Sequence, residues 1–113
     1  MCGLIGVAGK VTNEFRDKTF RDMLDVCQTR GRHATGVIKI NREQNYGYIK
    51  SVGPPAMLFD RRSYSETIEN GPVAALVGHC RHKTSGDNDT ASAHPFDYED
   101  EGIVGVHNGT LRG

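Results

Sequence analysis

Met1-Cys2-Gly3-Leu4-Ile5-Gly6-Val7-Ala8 opens the chain. Leu4 to Ala8 is a short apolar run bounded by glycines, which reads as a buried strand with Cys2 at its end. A small residue after the initiator permits methionine aminopeptidase to remove Met1. The mature chain would then begin at Cys2, with a thiol and a free α-amino group on one residue. The amine, with a reference pKa of about 8, can take the proton of a thiol whose reference is about 8.5. An N-terminal amine acting as base for its own side chain is one route to an activated nucleophile. Placement alone does not establish that chemistry, so the rest of the chain must decide.

Downstream of this strand the pattern changes period. Phe20, Met23, Leu24 and Cys27 recur at i, i+3, i+4 and i+7, which predicts a helix over about 13–30 with these residues on one face. Thr12 or Asn13 suits its cap and Gly31 its end. Cys27 belongs to the apolar face, so it is expected to pack in the core. Val37-Ile38-Lys39-Ile40 and Tyr46-Gly47-Tyr48-Ile49-Lys50 read as a hairpin joined by the polar stretch 41–45. Gly53-Pro54-Pro55 interrupts the chain, and 56–69 holds one or two short helices. Val73 to Gly78 and Ile103 to Val106 are further apolar runs, and the polar stretch 85–101 between them is expected to be loop.

Length and composition suit one small domain with one core over residues 1–113. The 14 basic and 14 acidic side chains cancel to a net charge of zero, which excludes a non-specific nucleic-acid binder dependent on a cationic face. No apolar run approaches the ~20 residues of a membrane helix, and no secretory signal is seen. Three cysteines (Cys2, Cys27, Cys80) indicate no disulfide framework. A cytoplasmic protein with reduced thiols is the expectation.

Polar groups gather where the apolar runs end. Gly78-His79-Cys80-Arg81-His82-Lys83-Thr84-Ser85-Gly86 is expected to follow a strand and enter a loop. Ala93-His94-Pro95-Phe96 comes next, and His107-Asn108-Gly109 follows the last apolar run. Such clustering at strand ends is a common way to build a pocket on a rigid scaffold.

With these residues in view, the chain resembles the N-terminal part of the glutaminase domain of the class II glutamine amidotransferases, which are N-terminal nucleophile hydrolases. Five segments match in order: Met1-Cys2-Gly3-Leu4-Ile5-Gly6, Arg30-Gly31 with Gly36, Gly78-His79-Cys80-Arg81 with Thr84 and Gly86, Ala93-His94-Pro95, and His107-Asn108-Gly109. The resemblance implies an α+β fold, an αββα sandwich of antiparallel sheets, of which this chain carries a part. It also implies that Cys2 attacks the carboxamide of L-glutamine, with the side chain of Asn108 and the N–H of Gly109 holding the oxyanion. Arg81 matches the arginine that binds the α-carboxylate of glutamine, Thr84 adds a hydroxyl contact, and Arg30 supports the Cys2 end. The resemblance calls for no metal and no organic cofactor. The implied partners are L-glutamine and a synthase domain or second chain.

Plainer readings stand beside these. Asn108-Gly109 is also a strong turn pair, and both readings hold together, because a tight turn exposes the Gly109 N–H. His94 and His107 are read as structural histidines. His79, Cys80, His82 and His94 lack paired metal-ligand spacing, and neighbours on a strand point to opposite faces. An amide hydrolase with another substrate, or a non-catalytic binding or regulatory module, are the alternatives to a glutaminase.

The chain departs from the family pattern at His33, where an acidic residue is usual, at His82, where an aromatic or hydrophobic residue is frequent, and at Ser85, where histidine is frequent. The family domain also continues past its Asn-Gly motif to an acidic residue that holds the α-amino group of the substrate. No counterpart follows Gly109 here, so a sheet face or edge is expected to be open unless a partner, a second copy or further chain covers it.

Overall fold

The fold comes from a computed structural model that describes residues 3–43, 45–82, 96–98 and 103–105. Its centre is an antiparallel sheet of four strands in the order β1-β4-β2-β3. The strands are β1 (Gly3–Val11), β2 (Ala34–Ile40), β3 (Tyr46–Val52) and β4 (Val73–Arg81). A separate pair, β5 (Phe96–Tyr98) and β6 (Ile103–Gly105), forms a two-stranded antiparallel ladder. The α+β class expected from the sequence is the one observed, and one antiparallel sheet with helices on it agrees with part of a layered sandwich.

Register follows directly from the apolar pattern. Gly3 lies opposite Cys80, Ile5 opposite Gly78 and Val7 opposite Leu76. On the other flank of β4, Thr35 lies opposite Cys80 and Val37 opposite Gly78. Directly opposed residues share a sheet face, so Ile5, Val7, Val37, Ile49, Leu76 and Cys80 point the same way. The helices cover this face. Phe20, Leu24, Leu58, Tyr64 and Ile68 are fully buried against it. A one-residue slip of β4 would exchange Leu76 and Cys80 for Ala75 and His79, so burial of this face specifies the register. The opposite face carries Leu4, Ile38, Val77 and His79, of which Ile38 and His79 are buried and Leu4 is 51% exposed.

The first helical segment is less regular than its periodicity predicts. The Thr12 hydroxyl accepts a hydrogen bond from Phe15 N–H at 3.1 Å, which makes it a cap. A π-helical turn (Phe15–Thr19) comes next, in which Phe20 N–H donates to Phe15 O, five residues back. Helix α1 (Phe20–Cys27) follows, and a 3-10 turn (Gln28–Arg30) ends the segment. Phe20, Leu24 and Cys27 are buried as expected. Met23 is only half-buried, because it falls at the margin of the face beside an open groove.

The hairpin between β2 and β3 is present, and its turn is organised by Asn41. The Asn41 carboxamide oxygen accepts from Glu43 N–H at 3.1 Å and from Asn45 N–H at 2.9 Å. Gly53 takes φ 104°, a left-handed conformation that favours glycine. Pro55 then begins helix α2 (Pro55–Phe59), where its missing N–H costs nothing. Helix α3 (Arg62–Thr67) follows, so the stretch after the prolines holds two short helices.

Two expectations need correction. Gly78-His79-Cys80-Arg81 does not follow the strand but is its last part: β4 continues to Arg81 because β1 pairs with it as far as Cys80 and β2 as far as Arg81. The stretch 85–101, expected to be loop throughout, contains β5, which gains its ladder from β6 rather than from any apolar pattern of its own.

Candidate active site

Gly3, the residue after Cys2, begins β1 at the end of the sheet where β4 finishes at Arg81. Two glycines hold this end together by close approach. A Cβ on Gly3 would lie 2.6 Å from Cys27 Sγ and 2.7 Å from Cys27 O. On Gly31 it would lie 2.4 Å from both Arg81 C and His82 N. Gly31 has an extended backbone, with φ 176°, that any residue can adopt. What demands glycine here is space.

The last turn of the first helical segment is thereby wedged between the start of β1 and the end of β4. Gly31 N–H donates to Gln28 O at 3.0 Å, closing that turn. His33 N–H donates to Arg81 O at 3.0 Å, and Gly53 N–H donates to His33 O at 2.8 Å. The Thr35 hydroxyl, buried on β2, donates to Gly53 O at 2.9 Å. These bonds tie Arg81 to β2 and to the exit of β3. The Arg81 side chain is half-buried, whereas Arg30 is exposed.

Two cavities flank this end. A groove of about 720 Å³ runs between β1 and α1, lined by Gly3, Leu4, Met23, Val26, Cys27 and Arg30 among others. A cationic cleft of about 260 Å³ includes Arg30, Arg32, His33 and His82. His33 and His82 stack there with ring centroids 4.9 Å apart and planes at 26°. The two histidines that depart from the family pattern therefore contact one another. No spacing in the sequence could join positions 33 and 82.

The side chains of Cys27 and Cys80 come together beneath Gly3, which Cys27 abuts and Cys80 faces across the ladder. Cys80 Sγ is also 3.7 Å from Leu24 O. The adjacent Cys80, with Arg30 nearby, pulls the Cys27 thiol below its ordinary range against the opposing effect of burial. The proximity of Cys27 and burial push the Cys80 thiol far up. Sequence reading placed Cys27 in the core, which is correct, but missed its partner on the strand.

Of the expected site residues, Arg30 and Arg81 are brought to one end of the sheet, at either side of Gly31. Cys2, Thr84, Asn108 and Gly109 lie outside the described residues, as do His94 and His107. Among the described residues, no cluster of three or more His, Cys, Asp or Glu side chains is placed to hold a metal, and no helix is long and apolar enough to cross a membrane.

Sequence similarity places the chain with the class II glutamine amidotransferases of the N-terminal nucleophile type, against the N-terminal part of their glutaminase domain. Over 112 residues, 98% of its length, it is 31% identical to amidophosphoribosyltransferase of Escherichia coli and 33% identical to that of Pseudomonas aeruginosa. Over 111 residues it is 32% identical to glutamine–fructose-6-phosphate aminotransferase (isomerizing) of Streptococcus mutans. The chain spans 21% of the length of the first two and 17% of the third. No protein-family model matches it.

Proposed function

We propose that residues 1–113 form the N-terminal portion of a glutaminase domain that hydrolyses L-glutamine to glutamate and ammonia, with Cys2 as nucleophile. The observation that carries this reading is the joining of Gly3 and Arg81 at one end of the sheet, each held by a glycine contact with the same helical turn. Chain connectivity keeps the Cα of Cys2 about 3.8 Å from that of Gly3. A nucleophile on this residue is therefore joined directly to a rigid neighbour, at the sheet end that also carries Arg81. The name of one relative specifies glutamine, which supports the choice of substrate.

In the proposed chemistry, removal of Met1 frees the α-amino group of Cys2. That amine, directly or through a water, collects the thiol proton as sulfur attacks the side-chain carboxamide of glutamine. Asn108 and the Gly109 N–H stabilise the oxyanion, where loss of one donor raises the barrier by about 3 kcal/mol. Ammonia leaves with the collected proton, and a γ-glutamyl thioester remains on Cys2. Water then attacks the thioester, releasing glutamate and restoring the thiol. Arg81 pairs its guanidinium fork with the α-carboxylate, so Arg81→Lys is not a mild change. Thr84 adds its hydroxyl, and Arg30 supports the nucleophile end. The ammonia passes to an acceptor on a synthase domain or a second chain.

Intact mass before and after incubation with a glutamine-mimicking diazoketone tests this reading. The expected result is loss of Met1 and one adduct on Cys2, suppressed by excess L-glutamine and absent in Cys2→Ser. A processed chain that is labelled equally with and without glutamine would refute the glutamine site.

A further inference from the structure

Three thiols exist in the chain, and the proposed function uses one of them. Cys27 and Cys80 lie 53 positions apart, yet the fold brings them to one place through separate pieces of geometry. Gly3 and Cys80 are directly opposed across β1 and β4, a pairing that sets Cβ positions about 5 Å apart. Cys27 Sγ lies 2.6 Å from where a Cβ on Gly3 would stand. Cys80 Sγ approaches Leu24 O, one helical turn before Cys27. The two sulfurs therefore converge on one spot between α1 and the sheet.

Their access to solvent differs. Cys27 is 7% exposed and lines the open groove beside β1, whereas Cys80 has no exposure. Arg30, three residues beyond Cys27, supplies a positive charge on the groove side. A small oxidant entering the groove meets Cys27 first, with Cys80 behind it. Simple core packing does not require two neighbouring thiols at such a place. An attacked thiol at the surface and a resolving thiol beneath it do require that order.

We propose that Cys27 and Cys80 are a redox-active dithiol that a hydroperoxide converts to a disulfide, with Cys27 the attacked residue and Cys80 the resolving one. The Cys27 thiolate attacks the outer oxygen of the hydroperoxide. An S–O bond forms and the O–O bond breaks, leaving Cys27 as a sulfenic acid and releasing an alcohol, or water from hydrogen peroxide. Cys80 sulfur then attacks Cys27 sulfur, the S–O bond breaks, and hydroxide departs with the Cys80 proton as water. The two thiols lose two electrons in total, and the peroxide gains them. The bond would fasten the end of α1 to β4 beneath Gly3, and an added thiol reductant would reverse it. This inference goes beyond the proposed glutaminase reading and does not rest on it.

The test uses the full chain treated with hydrogen peroxide, quenched with an alkylating agent, and digested without reduction. The expected result is a linked peptide pair containing Cys27 and Cys80, with a mass loss of about 2 Da. Its formation should be at least about tenfold faster in the native chain than in urea, since folding supplies the proximity. Dimedone added with the peroxide should trap Cys27 as its sulfenic acid. In Cys80→Ala, Cys27 should proceed to the sulfinic acid, a gain of about 32 Da. If that variant fails to fold, the native-against-urea comparison on the unsubstituted chain still decides. Equal linkage rates in both conditions, linkage dominated by Cys2, or a Cys27 that stops at the sulfinic acid with Cys80 present would each overturn the proposal.

Discussion

The two ends of the central sheet are held by opposite means. At the end where Gly3, Gly31 and Arg81 meet, backbones touch because side chains are missing, and the clearances would fall to 2.4–2.7 Å if a single carbon were added. At the other end, long basic side chains grip the segment just before β4. Arg16 donates to Gly71 O, Lys39 to Asn70 O, and Arg21 pairs bidentately with Glu69 at 2.5–2.6 Å. Close packing of backbone fixes position to a fraction of an ångström but tolerates no insertion. Flexible cations adjust, at the cost of precision. The proposed chemistry sits at the rigid end, where a nucleophile and its substrate arginine need fixed separation.

The sharpest way to break this contrast is Gly31→Ala. The new methyl would overlap the Arg81–His82 peptide, and backbone cannot move aside as a side chain can. A loss of about 3 kcal/mol or more in unfolding free energy is expected from denaturant titration. A loss below about 1 kcal/mol would mean that the turn and β4 can separate freely.

At the opposite end, Arg21→Met tests the grip of charge. Arg21 also lies over the rings of Phe59 and Tyr64, at 4.9 Å and 5.3 Å from their centroids. Methionine keeps part of that packing but leaves Glu69, with its side chain only 10% exposed, without its partner. A loss of about 2 kcal/mol is expected. Because the pair is partly buried, raising salt should recover little of it.

Tyr64→Phe sharpens the comparison through pH. The Tyr64 hydroxyl is buried without a hydrogen-bond partner among the described residues, so its removal should change stability by less than about 1 kcal/mol at neutral pH. Burial raises the phenol pKa in the folded state, an effect that Glu69 reinforces and Arg21 opposes. An unfolded tyrosine loses its proton near pH 10 while the folded one keeps it. The stabilisation is complete below about pH 10 and falls as pH rises further, by up to about 1.4 kcal/mol per unit. Thermal melts in that range should show a shallower decline for Tyr64→Phe. The smallest effect belongs to the exposed Arg62–Glu66 pair at 2.9 Å, where Arg62→Ala should cost under about 0.5 kcal/mol and less still in salt.

Sequence patterns revealed the layers better than the joints. The period-3.6 face at Phe20, Leu24 and Cys27 and the hairpin 37–50 were readable, because burial of one face imposes repetition. The continuation of β4 was not, since His79, Cys80 and Arg81 mix polar and apolar character. Its pairing partners extend the strand. At the candidate site, Arg30 and Arg81 were recognisable from motif, but the need for Gly31 was not. That need arises from backbone 50 positions away. The same holds for the His33–His82 stack and the meeting of Cys27 and Cys80 beneath Gly3, which exist only once β1, β2, β4 and α1 are assembled.

The π-helical turn at Phe15–Thr19 bears on how such a chain can change length. A wider turn accommodates one residue more than a regular helix over the same rise. Deleting one residue from a regular helix would rotate everything beyond it by about 100° and carry Phe20, Leu24 and Cys27 off the sheet. Within this turn a deletion can instead restore ordinary winding and leave the buried face where it is. The stretch between the Thr12 cap and Phe20 therefore acts as a slip joint, where a single-residue gap can enter a lineage without disturbing the contact between Cys27 and Gly3.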